Sequence, residues 1–385
     1  MHTSLPFTVQ EYRRRLERIQ STLRQRGIDL FLITVPENNF YLTGYQTTGY
    51  YMYQAVLIPA SGDPVPIVRS LEQTLLESGT WIGSGEFYLD TDDPAPFTAG
   101  VIQERFGERL TLAVEENSFF LPVGVHRRLA ESLPNATLVD GSGIVERERL
   151  VKSGQEIDYI RQAANAATRG MAAGVDAVKP GITENELAAL VYRELLPAGS
   201  EYPGDQPYVA AGPRSGLAHA TWSGRPVEHG DIVFFEVGGC VKRYSAAHMR
   251  VVSAGKPDRE TNRRADVVSE ALSAAIDTIR PGATSGEVDR ACRGTIERAG
   301  YGHLFRHRTG YSLGIAFPPG WGEGHIMDLK PDDPAILQAD TVFHLVPILH
   351  EPGVHGIGMS ETVLVTDTGC EVLTDYPREL VVRNL

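Results

Sequence analysis

The stretch of sequence that decides the fold occurs twice, as AVKPGITENELAALVYRELLPAG at residues 177–199 and as TIRPGATSGEVDRACRGTIERAG at residues 278–300. Both copies contain the pattern Lys/Arg-Pro-Gly-x-Thr-x-x-Glu. Each copy predicts the end of one helix, a Pro-Gly turn, and a second helix that is capped by the threonine and acidic in its first turn. Two such copies predict an α+β domain with internal pseudo-twofold symmetry and a site between its halves. The alternative is chance recurrence of a common helix-turn-helix phrase.

Helices and strands are predicted around both copies of this repeat. Ser153 and Glu156 have the spacing of a capping box, which predicts the start of a long amphipathic helix. Strand-like runs carry polar residues at alternating positions, so those residues share one face of a sheet. The runs are DIVFFEVGGCV (231–241), RYSAAHMRVVSAG (243–255), TVFHLVPILH (341–350) and SETVLVTDTG (360–369).

The N-terminal part of the chain has a different pattern. A helix is predicted from Thr8 to about Arg26, ended by Gly27, and IDLFLITV (28–35) follows as a buried strand. Alternating strands and helices continue through TLAVEEN and ATLVDGSGIV, which predicts an α/β domain with a mixed sheet. We therefore divide the chain into an N-terminal domain at 1–147 and a second domain at 148–385.

Composition excludes several classes of protein. The formal net charge of −13 argues against binding to nucleic acid or to an anionic membrane surface. No apolar run approaches the roughly 18 residues of a membrane span, and the N-terminal sequence lacks the apolar stretch of a signal peptide. The 3 cysteines lie far apart in the sequence, which argues against a disulfide framework and favours a reducing cytoplasm. Any metal would have to bind to carboxylates and imidazoles.

Taken together, these phrases resemble the creatinase/aminopeptidase P/methionine aminopeptidase superfamily. The resemblance runs from NNFYLTGY (38–45) to SETVLVTDTG, nearly the whole chain. It implies a creatinase-type α/β N-terminal domain and an α+β "pita-bread" catalytic domain. It also implies a homodimer in which the N-terminal domain of one subunit closes the site of the other.

Metallopeptidases of this superfamily hold two divalent metals with five ligands, Asp, Asp, His, Glu and Glu. The matching positions in this sequence are Glu236, Ala247, Tyr311, Val346 and Glu361. Two carboxylates are too few for a two-metal centre, which needs several anionic oxygens and an imidazole. We therefore expect no metal and no other cofactor.

Two longer phrases resemble the metal-free ectoine hydrolase branch of the superfamily. They are FFEVGGCVKRY (234–244) and RTGYSLGIAFPPGWGE (308–323), and HATW (219–222) lies where creatinase has its catalytic histidine. The resemblance implies hydrolysis of a C–N bond in a small cyclic amidine-like molecule, with ectoine as the leading candidate. The expected partner is thus a small-molecule substrate.

The same resemblance assigns roles to residues. Glu236 is expected either to attack the amidinium carbon or to activate a water molecule, and the sequence does not separate these routes. Glu361 is expected to be the second carboxylate facing the cation, His219 to transfer protons and Tyr311 to donate a hydrogen bond. Both glutamates could instead be ion-paired carboxylates that take no part in chemistry.

A second group of residues is expected to bind the substrate. Arg308 is preferred over Arg243 and Arg250 as the partner of a substrate carboxylate, and an arginine here could instead brace the fold. His344 is expected to share a strand face with position 346. The other members of the group are Trp222 and three tyrosines of the N-terminal domain, Tyr50, Tyr51 and Tyr53, whose rings suit a planar cation or ordinary sheet packing.

The sequence departs from ectoine hydrolases at GYYMY and at YSAAHMRVV, so the identity of the substrate ring stays open. The competing functions are a metal-dependent Xaa-Pro aminopeptidase, a creatinase-like amidinohydrolase that acts on another substrate, and a non-catalytic small-molecule binder.

Overall fold

The computed structural model describes residues 5–383. The chain forms two compact units, one ending at Arg149 and the other beginning at Leu150. Within residues 5–383, none of the helices combines the length and the apolar character needed to cross a bilayer.

The first unit is an α/β domain built on one six-stranded sheet. The strand order is β4-β3-β2-β1-β5-β6, with antiparallel pairs β1–β2 and β2–β3 and parallel pairs elsewhere, so the predicted mixed sheet is confirmed. The elements are α1 (Val9–Gln25), β1 (Leu30–Ile33), α2 (Pro36–Thr43), β2 (Ala55–Pro59), β3 (Val65–Arg69), a 3-10 turn (Ser70–Glu72), α3 (Gln73–Gly79), β4 (Glu86–Tyr88), α4 (Pro94–Phe106), β5 (Thr111–Val114), α5 (Val123–Ser132), β6 (Thr137–Asp140) and α6 (Ile144–Leu150).

Local sequence explains how the first two helices start and stop. The Thr8 side chain accepts a hydrogen bond from the backbone N–H of Glu11 and caps α1, which confirms the predicted first helix. Pro36 occupies the first turn of α2, where its missing N–H costs nothing, and Gly44 ends that helix in the left-handed conformation with φ 82°.

The second unit contains four helices and eleven strands among the described residues. The helices are α7 (Gly154–Ala177), α8 (Glu184–Leu195), α9 (Arg259–Thr278) and α10 (Ser285–Arg298), with 3-10 turns at Gly212–Gly216 and Gly302–Leu304. The strands are β7 (Tyr208–Ala211), β8 (Ile232–Val241), β9 (Tyr244–Ser253), β10 (Gly310–Ser312), β11 (Asp328–Leu329), β12 (Val342–Leu345), β13 (Ile348–Glu351), β14 (His355–Gly358), β15 (Glu361–Val365), β16 (Cys370–Val372) and β17 (Val381–Val382).

The internal repeat adopts the same structure in both copies. Thr183 and Thr284 each form a complete capping box, at the start of α8 and of α10 respectively. Each threonine also makes an isolated β-bridge, Thr183 to Pro226 and Thr284 to Ile336. The repeat is therefore structural rather than a chance recurrence of a phrase, as the sequence predicts.

Three sheets lie in the second unit, and two of them carry the motif residues. One has the order β17-β9-β8-β7 and the other β11-β10-β12-β15-β16, while β13 and β14 form a hairpin. In β8, Phe235 and Val237 pack into the core against α7 and α8. Because side chains alternate along a strand, the neighbouring Glu236 points to the opposite face.

Two glycines in β8 allow close packing on either side of the strand. A Cβ on Gly239 would collide with the backbone of α7 at Ala163. A Cβ on Gly238 would lie 2.6 Å from the ring of Trp321. The Val-Gly-Gly sequence that follows Glu236 therefore lets a helix and an indole ring contact the strand directly.

Candidate active site

A cavity of about 640 Å³ opens in the second unit, and Glu236 lies in its wall. Apolar side chains form much of the lining: Leu217, Phe234, Met249, Leu304, Val346 and Ile348. The polar or charged lining side chains are Tyr208, His219, Glu236, Arg306, His307, Arg308, Tyr311 and His350. A mainly apolar pocket with a few convergent polar groups is the usual form of a small-molecule site.

The Glu236 side chain is a buried carboxyl group without a partner. It is 8% exposed, and within residues 5–383 no group forms a hydrogen bond or an ion pair with it. Burial, and then the nearby negative charge of Asp205, raise the pKa of Glu236 to about 8. The protein surroundings of Glu236 therefore favour the protonated acid, and a cation bound beside it would favour the carboxylate.

Asp205 and Tyr208 form a second polar pair near Glu236. The Tyr208 hydroxyl donates to the Asp205 carboxylate, and burial raises the pKa of both groups. This hydrogen bond holds the Tyr208 ring against the cavity, where it lies 5.9 Å from the His219 ring and 5.9 Å from the Trp321 ring.

Tyr311 is held by hydrogen bonds on two sides. The Trp321 indole N–H donates to the Tyr311 hydroxyl over 3.1 Å, and that hydroxyl lies 2.9 Å from Nδ1 of His344. His344 does not line the cavity; it is fully buried, and its Nε2 lies 2.7 Å from the Ser360 hydroxyl. Burial lowers the pKa of His344 to about 3, so this imidazole is neutral.

Three histidines line the cavity. His219 is exposed and has a left-handed backbone with φ 59°, a conformation that residues with side chains rarely adopt. His350 is neutral, because burial and the nearby His307 and His219 lower its pKa to about 4. Its Nδ1 is buried and has no hydrogen-bond partner in the described part of the chain.

His307 has a fixed tautomer. Its Nδ1 lies 2.6 Å from the backbone carbonyl of Arg308, which can only accept, so Nδ1 carries the proton. Burial lowers the pKa of His307 and keeps the ring neutral. Its Nε2 is then an acceptor, and no described residue donates to it. This arrangement leaves one ring nitrogen free to take a proton from a ligand or a water molecule.

The three candidate arginines have different environments. Arg308 lines the cavity, pairs with Asp328 over 2.8 Å and lies 4.8 Å from the centre of the Tyr311 ring. Arg243 is buried and donates to the carbonyl oxygens of Ala316 and Tyr202, so it braces the fold. Arg250 is also buried, and its guanidinium donates to Glu361 and to several backbone carbonyls.

Glu361 occupies an environment opposite to that of Glu236. It is fully buried, and its carboxylate pairs with Arg250 over 2.6 Å and with Arg378 over 3.1 Å. It also accepts a hydrogen bond from the Thr374 hydroxyl, and it does not line the cavity. This placement favours a structural role for Glu361, the second of the two roles considered for it.

The remaining expected substrate contacts are not among the residues that line this cavity. Trp222 and Tyr192 both pack against the core formed by α7, α8 and β8, and the centres of their rings are 6.4 Å apart. In the first unit, Tyr50 packs edge-on against Phe120, Tyr51 is 75% exposed, and the Tyr53 hydroxyl forms a hydrogen bond with Thr98. Of the expected site residues, Glu236, His219, Tyr311 and Arg308 therefore line this cavity, and the others do not.

Comparison with known proteins identifies the family. A model of the creatinase/prolidase N-terminal domain matches residues 15–151, and a model of metallopeptidase family M24 matches residues 158–367, more than half of the chain. The chain belongs to metallopeptidase family M24. This match confirms the predicted superfamily and the predicted fold of a creatinase-type N-terminal domain followed by a pita-bread domain.

Several members of family M24 resemble the chain over its full length. An ectoine hydrolase from Halomonas elongata is 29% identical over 401 residues, covering 100% of both chains. An uncharacterised hydrolase/peptidase from Sinorhizobium fredii is 30% identical over 99% of both chains. The solved structure of a prolidase from Thermococcus sibiricus has a TM-score of 0.87 at 27% identity, covering 97% of this chain and 99% of that one. The protein is thus an M24 hydrolase.

The metal centre after which family M24 is named does not fit the side chains present here. Among the five positions matched to its ligands, Ala247 and Val346 have no donor atom, and Tyr311 has only a phenol that is bonded to Trp321 and His344. Glu361 is neutralised by two arginines. Within residues 5–383, no group of three or more His, Cys, Asp or Glu side chains has a metal-binding arrangement.

Sequence reasoning missed several members of this site, among them Tyr208, His307, Trp321 and Ser360. His307 directly precedes Arg308, the first residue of the motif RTGYSLGIAFPPGWGE that carried the resemblance. Its position beside this motif was the signal in the sequence that could have identified it as a site residue. Ser360 has no comparable signal, because its contact with His344 depends on how β12 pairs with β15.

Proposed function

We propose that this protein hydrolyses a C–N bond of a small cyclic amidine that bears a carboxylate, with ectoine as the leading substrate, and that it does so without a metal ion. The observation that carries the proposal is the Glu236 carboxyl group, which is buried in an apolar cavity and has no partner among the described residues.

A planar amidinium cation is the natural partner for such a group. A carboxylate and an amidinium form a charge-assisted pair with parallel hydrogen bonds, and the pair is strengthened in an apolar cavity. Binding of the cation would lower the pKa of Glu236 and generate the carboxylate next to the amidinium carbon. The full-length similarity to an ectoine hydrolase supports the same substrate class.

The reaction adds one water molecule across one C–N bond. In one route the Glu236 carboxylate adds to the amidinium carbon, and the ring C–N bond breaks as its nitrogen takes up a proton, which leaves the ring-opened substrate on Glu236 as an imidoyl ester. Water then hydrolyses this ester to the amide and the free Glu236 carboxylate. In the other route Glu236 removes a proton from a water molecule that attacks the same carbon. Both routes give a ring-opened amide and a free amine.

The other cavity residues have roles that follow from their chemistry. His219 and the unpartnered Nε2 of His307 can exchange protons with the attacking water and the leaving nitrogen. Arg308 supplies a guanidinium to pair with the carboxylate of the substrate. We also propose that the protein acts as a homodimer, with Tyr50, Tyr51 or Tyr53 of the partner's N-terminal domain closing the cavity, and that it works in the cytoplasm.

The direct test is incubation of the purified protein with ectoine, followed by NMR or mass spectrometry for N-acetyl-diaminobutyrate. We expect turnover by the natural protein and none by Glu236→Gln. Glu228→Gln is the matched control, because the Glu228 side chain is 72% exposed and does not line the cavity. An inert natural protein whose thermal stability is unchanged by ectoine would contradict the substrate assignment.

A covalent route makes a further observable prediction. Mass spectrometry of protein quenched during turnover would detect the added mass of the ring-opened substrate on the peptide that contains Glu236. The unmodified peptide throughout turnover would instead favour the general-base route.

The competing function is a metal-dependent peptidase that acts on Xaa-Pro substrates, and similarity to a solved prolidase favours it. Assay with Xaa-Pro dipeptides in the presence of Mn²⁺, Zn²⁺ or Co²⁺ separates the two functions. Cleavage that depends on one of these ions, without turnover of ectoine, would replace our proposal by the peptidase.

A further inference from the structure

We propose that His344 and Ser360 are positioning residues that turn the Tyr311 hydroxyl into a hydrogen-bond donor pointing into the cavity. The orientation of this hydroxyl follows from hydrogen bonds within the protein. Only the identity of the ligand that receives its hydrogen bond rests on the function proposed above.

Ser360 is fully buried. Its hydroxyl oxygen accepts a hydrogen bond from the backbone N–H of Met249 over 2.6 Å and lies 2.7 Å from Nε2 of His344. Among residues 5–383, these are the partners of this hydroxyl. The backbone N–H cannot accept, so the single hydrogen of Ser360 has one acceptor, which is Nε2 of His344.

This assignment fixes the tautomer of His344. A neutral imidazole that accepts at Nε2 carries its proton on Nδ1. Nδ1–H then donates to the Tyr311 oxygen over 2.9 Å, and the Trp321 indole N–H donates to the same oxygen over 3.1 Å. Both acceptor positions of the phenol oxygen are thereby filled. The hydroxyl hydrogen of Tyr311 is left to point into the cavity that the residue lines.

The reverse order of hydrogen bonds is less favourable. Tyr311 would donate to Nδ1 of His344, and Nε2–H would donate to Ser360. The Ser360 hydrogen would then have no acceptor among the described residues in a fully buried position. An unsatisfied buried donor is destabilising, so the first order is preferred.

A neutral donor in this position selects for a ligand with an acceptor atom. By either route the former amidinium carbon comes to carry the oxygen that becomes the carbonyl oxygen of the amide product. The Tyr311 hydroxyl can donate to this oxygen, as oxyanion-type donors do. Burial and the charge of Glu236 both raise the pKa of Tyr311, so the phenol keeps its hydrogen.

The tautomer can be measured without any substrate. In the ¹⁵N-labelled protein, two-bond ¹H–¹⁵N spectra report which ring nitrogen of each histidine carries the proton. The His344 signals are those lost in His344→Phe and in His344→Asn and kept in His126→Gln. We expect the Nδ1–H form in the natural protein and a shift toward the Nε2–H form in Ser360→Ala. An Nε2–H form in the natural protein would overturn the proposal.

Kinetics with ectoine supply the second readout. Tyr311→Phe is expected to lower kcat by about 100-fold, as for loss of one oxyanion donor, with a smaller effect on KM. Ser360→Ala is expected to lower kcat in the same direction, and His344→Asn, which keeps an N–H donor near the position of Nδ1, to retain more activity than His344→Leu. Unchanged kcat in Ser360→Ala would contradict the positioning role. Absence of ectoine turnover by the natural protein would contradict the proposed function and leave the tautomer result standing.

Discussion

Two buried glutamates of the catalytic unit show how strongly environment decides what a residue can do. Glu361 is fixed by two guanidinium groups and a threonine hydroxyl. Glu236 has no such partner among the described residues and lies in the wall of an apolar cavity. Of the two, Glu236 is the one whose carboxyl group is available to pair with a ligand. The two residues are indistinguishable in the motif pattern, where each occupies a position of an acidic metal ligand.

The raised pKa of Glu236 makes the stability of the protein depend on pH. The folded protein binds the Glu236 proton up to pH of about 8, whereas the unfolded chain releases it near the ordinary value of 4.5. The contribution to stability is therefore complete below pH 4.5 and is lost as the pH rises to about 8, at up to about 1.4 kcal/mol per pH unit. Glu236→Gln should match the natural protein near pH 4.5 and exceed it at pH 8.

Urea unfolding at both pH values measures this difference. Glu228→Gln, at an exposed position, should follow the natural protein at both. Equal pH dependence of unfolding in Glu236→Gln and the natural protein would show that the carboxyl group is not perturbed as described.

His307 offers a second prediction at the residue scale. His307→Asn removes the unpartnered Nε2 and can keep an N–H donor to the Arg308 carbonyl. We expect kcat/KM for ectoine to fall by about 100-fold if this nitrogen accepts or delivers a proton. His303→Asn is the matched control, because His303 is exposed four residues earlier and does not line the cavity. Equal rates in the two variants would remove His307 from the mechanism.

At the scale of elements, close packing between β8 and the loop that carries Trp321 links the strand to the Tyr311 hydroxyl. Gly238→Ala would place a methyl carbon 2.6 Å from the Trp321 ring and push the indole away from Tyr311. We expect a loss of stability of about 1–3 kcal/mol, typical of overpacking, and a lower kcat. Gly320→Ala, with no atom within 4 Å of the added methyl, should change neither thermal unfolding nor turnover.

The two capping boxes of the internal repeat allow a test of its symmetry. Thr183→Ala and Thr284→Ala each remove the side chain that caps α8 or α10. Each should lower the free energy of unfolding by about 1 kcal/mol. Because the two caps make the same contacts, chemical denaturation should give nearly equal losses. A large loss in one variant and none in the other would show that the halves are energetically unequal.

The sequence predicted the elements whose signals are local. The caps at Thr8, Ser153, Thr183 and Thr284 can be read from residues within one turn, and each is present in the structure. The environment of Glu361 could not be predicted in this way. It depends on Arg250 and Arg378, which lie 111 and 17 residues away in the chain. Motif matching identified the positions that face the site, but their partners come from strand pairing.

At the scale of the whole molecule, each of the two units accounts for one of the family matches, and only the second contains the cavity described above. The predicted division at residue 147 falls inside α6, and the compact units divide at Arg149. The dimer and the lid supplied by the partner stay predictions. Sedimentation of the natural protein and of Tyr51→Ala would test the dimer. The KM of both proteins for ectoine would test the lid.

The metal content of the whole protein tests the metal-independent mechanism. Because the five ligand positions offer two carboxylates, one of them already paired, we expect well below one transition-metal ion per chain after purification. Ectoine turnover should be unchanged by EDTA. Stoichiometric Mn, Zn or Co, with activity that is lost on chelation and restored by the ion, would contradict the metal-independent mechanism.

The ion pairs of Glu361 with Arg250 and Arg378 would also hinder the design of a metal site in this protein. Replacing Ala247, Tyr311 and Val346 by Asp, His and Glu would place a possible ligand at all five positions, with Glu236 in place of the first Asp. Arg250 and Arg378 would still lie against the last ligand, and their positive charges would repel an incoming divalent ion. Redesign toward a metal site therefore also has to release Glu361 from these two ion pairs, and this would leave the buried Arg250 guanidinium without its carboxylate partner.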